Sequence, residues 1–197
     1  MQQRHEPHDS LDDFPTPCWA TRALIEHVIG DCWQNYRVDE PACNRGYMAR
    51  PLAEYFHAVN ASDIHDYGFG YDVRDYLYPG SNQPKADWTI TNPPFKLAEQ
   101  FIEMARDRST VGVAMFVRSA FLESIGRYER LFNVNPPSII AQFSERVVLH
   151  KGHVTKTGST ATAYCWLVWN KCDSDNKTRF TWIPPCRKRL ERPGDYD

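Results

Sequence analysis

Short apolar runs alternate with segments of helical period along most of this chain, and that alternation restricts its fold more than any other feature. The runs "YRVDEPAC" (36–43), "AVNASDI" (58–64), "ADWTIT" (86–91), "VGVAMFV" (111–117), "SIIAQF" (138–143) and "ATAYCWLVWN" (161–170) have the length and side-chain content of strands. "TRALIEHVI" (21–29), "GYMARPLAEYF" (46–56) and "LAEQFIEMARDR" (97–108) repeat their apolar residues at helical spacing. The first follows Thr16-Pro17, a helix-entry turn, and Pro51 must lie in the first turns of the second or kink it. Strand–helix alternation predicts an α/β fold, a mostly parallel central sheet flanked by helices on both faces. Such a sheet binds ligands at the carboxyl ends of its strands, so the residues just after each strand are the ones to read for chemistry.

A chain of 197 residues, 42% hydrophobic and 13% aromatic, suits one well-packed domain. The expected organisation is a flexible N-terminus (1–13), one α/β domain (14–175) and a basic C-terminal tail (176–197). No apolar stretch approaches the roughly 20 residues that cross a bilayer. The polar start "MQQRHEPHDSLDDFP" has no hydrophobic segment of the signal-peptide kind, so the expectation is a cytoplasmic protein without membrane contact. Cys18, Cys32, Cys43, Cys165, Cys172 and Cys186 are scattered and form no C-x-x-C pair, and are expected to be reduced thiols holding neither disulfides nor a metal. A net charge of −2 argues against coating nucleic acid by bulk electrostatics. The charges are unevenly spread, however. Acidic residues are dense near the start and in 63–75, whereas the second half carries Arg118, Arg127, Arg130, Arg146, Lys151, Lys156 and "CRKRLERP" (186–193).

Three strand ends hold residues suited to a ligand. The turn "DEPACNRGYM" (39–48) precedes a helix, and Gly46 lets a ligand approach where a Cβ would collide. It is not a G-x-G-x-x-G loop; Asn44 stands where glycine is expected, and asparagine is the best substitute in a left-handed conformation. Asp63 ends the second strand, about 20 residues beyond that turn, where a carboxylate accepts hydrogen bonds from a ribose diol. Asp72 and Asp75 follow, and a carboxylate there can accept from an adenine amino group. The third is "TITNPPFKLAEQF" (89–101), in which two prolines stiffen a corner and remove backbone donors. The Asn92 side-chain oxygen and a proline carbonyl become fixed acceptors, with Phe95 as a flat apolar surface, a set suited to a planar amino group.

"NPPF" (92–95) resembles the catalytic motif of S-adenosylmethionine-dependent amino-methyltransferases, above all the N6-adenine DNA enzymes, and "EPACNRG" (40–46) resembles their methionine-binding motif. "FPTP" (14–17) is similar to the Thr-Pro motif that contacts the cofactor's carboxylate in this group. The resemblance covers roughly residues 14–170 and is closest to small methyltransferases of phages and their bacterial hosts, including restriction-modification enzymes. It departs at Asn44 and in having no large target-recognition domain. It implies a Rossmann-like methyltransferase fold, S-adenosylmethionine as cofactor and DNA, or else RNA, as partner. By the same carry-over Asn92, Pro93, Pro94 and Phe95 are catalytic. Thr16, Pro17, Glu40, Ala42, Cys43, Asn44, Gly46, Asp63, Ile64, Asp75, Tyr76 and Asn92 hold the cofactor, and no metal is required.

An adenine N6 lone pair is delocalised into its ring, so a catalyst must draw both N–H bonds toward acceptors and aim the lone pair at the methyl group. The base must also leave the duplex. Phe95 could stack on it, Phe143 in "QFSERVVLHKG" (142–152) is expected as a second wall, and Arg146 and Lys151 as phosphate contacts. The same acceptors suit RNA or a protein glutamine amide, and a nucleic-acid-binding relative without activity is a further reading. Monomer and homodimer are both compatible with the sequence.

Overall fold

The computed structural model describes residues 12–30, 33–79, 85–173 and 177–197. Of the N-terminus expected to be flexible, only Asp12 and Asp13 fall within them, and Cys32 lies outside. The strands are β1 (Arg37–Glu40), β2 (Ala58–Asp63), β3 (Asp72–Val73), β4 (Ala86–Thr91), β5 (Ser109–Arg118), β6 (Ile139–Phe143), β7 (Tyr164–Asn170) and β8 (Arg179–Ile183). They form one sheet in the order β3-β2-β1-β4-β5-β7-β6-β8. Strand β7 pairs antiparallel with β5 and β6, and the other pairings are parallel.

Helix α1 (Cys18–Leu24) runs on as wider turns to Ile29 and stops at Gly30, whose N–H closes on the Ile25 carbonyl. The expected helix over 46–56 is shorter than its pattern, α2 (Ala49–Leu52), with Pro51 in its single turn. The others are α3 (Ala98–Arg108), α4 (Ile125–Arg127, continuing to Phe132) and α5 (Arg187–Leu190). No helix among the described residues is long and apolar enough to cross a membrane.

Strand β5 shows why the sheet needs cover on both faces. Its residues 113–117 are all buried, and their alternation divides them between two cores. Ala114 and Phe116 join Trp19, Leu24, Trp88 and Trp166 on the α1 side; Val113, Met115 and Val117 join Phe101, Ile102 and Leu167 on the α3 side.

The segment expected as a basic tail is part of the fold. Strand β8 pairs with β6, and Ile183, Cys186 and Leu190 enter the α1-side core. The fully buried Arg22 then fastens the end of the chain: its guanidinium donates to the Leu190 carbonyl and Asp195 at 2.7 Å and to Glu54 at 2.7 Å. The polar composition hid this because three well-spaced apolar side chains and one buried arginine suffice to dock so short a piece.

Candidate active site

The turn after β1 adopts the conformation its asparagine permits. Asn44 has φ of 52°, in the left-handed region that costs asparagine little. Its backbone N–H donates to Asp63 Oδ2 at 2.9 Å, binding the end of β1 to the end of β2. Its side-chain nitrogen donates to Asp13 Oδ1 at 2.6 Å, and its side-chain oxygen accepts from Arg45 N–H at 2.8 Å. Gly46 has a different function from the one read in the sequence. Its φ of 82° needs glycine, but the place of a Cβ is filled from within, since that atom would lie 1.9 Å from the Tyr71 hydroxyl. The glycine admits Tyr71 rather than a ligand, and Gly46 does not line the cleft described below.

Glu40, at the end of β1, is buried. Its Oε1 accepts from the Thr91 hydroxyl at 2.7 Å and Ala42 N–H at 3.4 Å, whereas Oε2 is shielded from solvent with no partner. Burial above all pushes this carboxyl well above the usual range, the Thr91 hydrogen bond opposes it, and the nearby Asp63 charge adds to the rise. An enclosed carboxyl oxygen without a donor is costly in a fold unless something supplies one. The neighbouring Cys43 thiol is likewise raised by burial, an inert rather than a nucleophilic state.

The corner after β4 has an equally specific arrangement. Asn92 Nδ2 donates to the Phe14 carbonyl at 2.9 Å and to Thr16 Oγ1 at 3.0 Å. A carbonyl can only accept, so the first bond fixes which way the amide faces. The oxygen, Oδ1, is consequently turned away and has no hydrogen-bond partner. The Pro94 carbonyl accepts from Leu97 N–H at 2.9 Å, which turns the chain into α3. Phe95 N–H donates to Asp12 Oδ2 at 2.5 Å, and the Phe95 ring lies against Phe14, centroids 5.5 Å apart, and under the Arg118 guanidinium, 3.9 Å from the ring centre. Sequence reasoning gave "FPTP" to the cofactor alone and passed over Asp12; in the structure, residues 12–16 hold the asparagine corner. Arg118 was legible only as one basic residue among several, because its meeting with Phe95 depends on β4 and β5 being neighbours.

These loops surround a cleft at the carboxyl ends of β1, β2 and β4, with about 900 Å³ of space counting its open mouth. Thr16, Glu40, Ala42, Cys43, Asn44, Asp63, Ile64, Asp75, Tyr76, Asn92 and Pro94 line it, together with Tyr47, Met48, Tyr67 and Leu77, which the sequence did not mark. Asp63 already accepts from Asn44 and His65 N–H, and Asp75 from Leu77 N–H at 2.9 Å, so both carboxylates are oriented by backbone amides. Pro17, Pro93 and Phe95 are not among the residues that line it: Pro17 precedes α1, and Phe95 packs against the α1-side core. Tyr76 packs its ring on Phe101 at 5.2 Å. Arg146 lines a separate groove, and Lys151 lies on the loop that Gly152 N–H ties to the Asp13 carbonyl at 2.9 Å.

Phe143 corrects the sequence reading. It is buried edge-on between Trp19, 5.5 Å away, and Phe116, 6.1 Å away, so its ring is held in the core and does not line the cleft at the asparagine corner. The register of β6 sends Ile139, Ala141 and Phe143 to the α1-side core, and a residue of that parity has no outlet to the cleft.

No protein-family model and no curated protein matches this sequence. Solved structures do resemble it in three dimensions. A candidate class I S-adenosylmethionine-dependent methyltransferase from Listeria monocytogenes superposes with a TM-score of 0.63 at 14% identity, over 92% of this chain and 68% of that one. A candidate RNA methyltransferase from Pyrococcus horikoshii gives 0.57 at 12% identity, over 88% and 92%. The methyltransferase subunit of a type I restriction-modification system from Streptococcus thermophilus gives 0.58 at 9% identity; this chain is 91% covered and spans 47% of that protein's length. Sheet order, helical cover and these superpositions together make the fold the Rossmann-like fold of S-adenosylmethionine-dependent methyltransferases.

Proposed function

We propose that this protein transfers a methyl group from S-adenosylmethionine to the N6 amino group of adenine in DNA, with the base turned out of the helix. The observation that carries this reading is the asparagine corner: both N–H groups of the Asn92 amide are consumed by Phe14 and Thr16, and its oxygen is left without a partner beside the cleft.

The cleft fits the cofactor's chemistry. The unpartnered Glu40 oxygen suits a cationic amine, the oriented Asp63 carboxylate a ribose diol, and Asp75 with the exposed Ile64 a nucleobase. Thr16, Ala42, Cys43, Asn44 and Tyr76 would hold the rest of the ligand. When bound, the cofactor supplies a methyl group already activated on a sulfonium. Asn92 Oδ1 accepts one N–H of the target amine. The Pro94 carbonyl is engaged by Leu97, so the second acceptor in this reading is the Pro93 carbonyl. Two acceptors in the plane of the amine pull its hydrogens aside and free the lone pair for attack. As the nitrogen gains a carbon it loses one of those protons to water, and no strong base is needed.

Arg118 and Phe95 form a cationic, flat rim where an extruded base and its phosphate can be held. RNA as the substrate is the second reading, favoured by the nearly full-length superposition on the Pyrococcus protein. Transfer of labelled methyl to DNA, RNA and protein mixtures, with nucleoside analysis of the product, separates the readings. Asn92→Ala should lower transfer at least a hundredfold while cofactor binding by calorimetry persists, in line with the loss of one oriented polar group from a catalytic site. Undiminished turnover in that variant would remove the corner from the mechanism.

A further inference from the structure

We infer that the two exposed aromatic rings of the last strand form a stacking platform for unpaired bases of the nucleic acid strand whose target enters the asparagine corner; this rests on the nucleic-acid reading above. Phe180 and Trp182 remain 56% and 64% exposed, although they are among the largest apolar side chains of the chain. They alternate along β8, so both stand on one face of the sheet, with centroids 5.0 Å apart and planes at 82°. Their neighbours Thr181 and Ile183 point the other way, and Ile183 is fully buried in the α1-side core. The rings are thus displayed by a strand that is firmly docked.

Their position relates them to the catalytic corner. Trp182 pairs with Gln142 of β6, Gln142 with Cys165 of β7, and Cys165 with Val117 of β5. Met115 pairs with Thr91, the last residue of β4 before Asn92. One row across the carboxyl edge of the sheet therefore runs from the asparagine corner to Trp182. Four strand spacings of about 4.8 Å make this roughly 19 Å, the reach of a few nucleotides of extended single strand.

The surface between the two ends suits a polyanion. Arg118 projects at the end of β5, and a groove beside the rings is lined by Ser144, Arg146, Tyr164, Phe180 and Trp182. Arg146 is exposed there, with one guanidinium N–H on the Ala161 carbonyl at 3.3 Å. The one acidic residue of the groove, Glu145, lines it with one carboxylate oxygen occupied, its Oε1 accepting the Cys186 and Arg187 N–H groups at 2.6 and 2.7 Å. Cations along the path with flat apolar rings at its end are the elements that bind single strands without sequence readout, since every base has a face to stack.

The test is a binding experiment that does not require turnover. Fluorescence anisotropy with labelled single-stranded oligonucleotides of four and of sixteen nucleotides, each holding one adenine near one end, compares wild type with Trp182→Leu, Trp182→Phe and Phe180→Leu. The platform predicts that the leucine variants bind the longer strand about tenfold more weakly each, that Trp182→Phe retains most of the affinity, and that the short strand is bound alike by all. Equal affinity of all variants for the longer strand would overturn it. So would a wild type that binds no single strand, or a wild-type dimer in sedimentation that the leucine variants convert to monomer, since the rings would then serve a second copy. Failure of the methyltransferase reading has a different signature, absence of transfer with this binding pattern intact.

Discussion

Asn92→Asp replaces one amide by a near-isosteric carboxyl and so tests what holds the corner. In the wild type Nδ2 donates at 2.9 Å to the Phe14 carbonyl and at 3.0 Å to Thr16 Oγ1. An ionised carboxylate sets oxygen against oxygen at the first contact. The threonine hydroxyl can turn and donate, but the Phe14 carbonyl cannot. Loss of one net hydrogen bond, about 1 kcal/mol, and a carbonyl left unpaired, about 1–3 kcal/mol, make the ionised variant roughly 2–4 kcal/mol less stable than wild type. The new carboxyl escapes by taking a proton: the acid donates to Phe14 and leaves its other oxygen without a donor, as the amide does. Its folded-state pKa is therefore raised above the unfolded value near 3.9, and a penalty of that size places half-titration at about pH 5.5–7. A raised folded pKa gives stability that is complete below the unfolded value and lost as pH rises through the folded one, so the deficit vanishes only below about pH 4, is about 1.4 kcal/mol at pH 5 and is full at pH 8. Urea denaturation between pH 5 and 8, with methyl transfer measured on the same samples, should show both deficits shrink toward pH 5. Wild-type stability at pH 8, or a deficit independent of pH, would refute the orientation of the amide.

Asp195→Ala takes one carboxylate at 2.7 Å from the buried Arg22 guanidinium, which keeps Glu54, and should cost about 1.5–3 kcal/mol; urea denaturation checks this, with loss of the C-terminal segment under limited proteolysis as a second readout. Gly112→Ala would bring a Cβ to 2.5 Å from the Trp88 ring, and the forced shift of β4 against β5 should destabilise by about 1–3 kcal/mol in the same assay. Glu40→Gln removes a carboxyl whose folded pKa lies above its unfolded value, so the cofactor-free wild type should lose stability from pH 5 to 8 and the variant should lose less; parallel slopes would mean the carboxyl finds a partner in the free protein.

The sequence displayed most of what local physics controls. Central strands announce themselves by unbroken apolar runs, as β5 does, because both of their faces are covered. Asn44 was readable as a left-handed residue and has that φ. Parity was not readable: Gln142 and Phe143 are neighbours, and only register decides which one meets the core. Strand β8 was invisible for a related reason, since its large apolar residues face outward and its inward ones, Thr181 and Ile183, are too few to mark a run. Strand β3 has two residues, fewer than a periodicity needs. Gly46 was read as the place where a ligand comes close, but a sequence does not say what fills such a place, and here it is Tyr71.

The N-terminal strap joins these observations. In an open parallel sheet the loops after successive strands belong to separate units, and nothing in the strand pairing alone fixes one loop against the next. Here a single stretch does so from the other end of the sequence. Asp12 takes Phe95 N–H; Asp13 takes Asn44 and Arg45 through its carboxylate and Gly152 through its carbonyl; Phe14 and Thr16 take the Asn92 amide. Loops after β1, β4 and β6 are thereby indexed to one short segment whose successive residues are a few ångströms apart. A cofactor in the β1 turn and an amine at the β4 corner would then be held at a separation set by covalent geometry, a stiffer standard than the packing of side chains, and methyl transfer is the kind of reaction that responds to errors of that size.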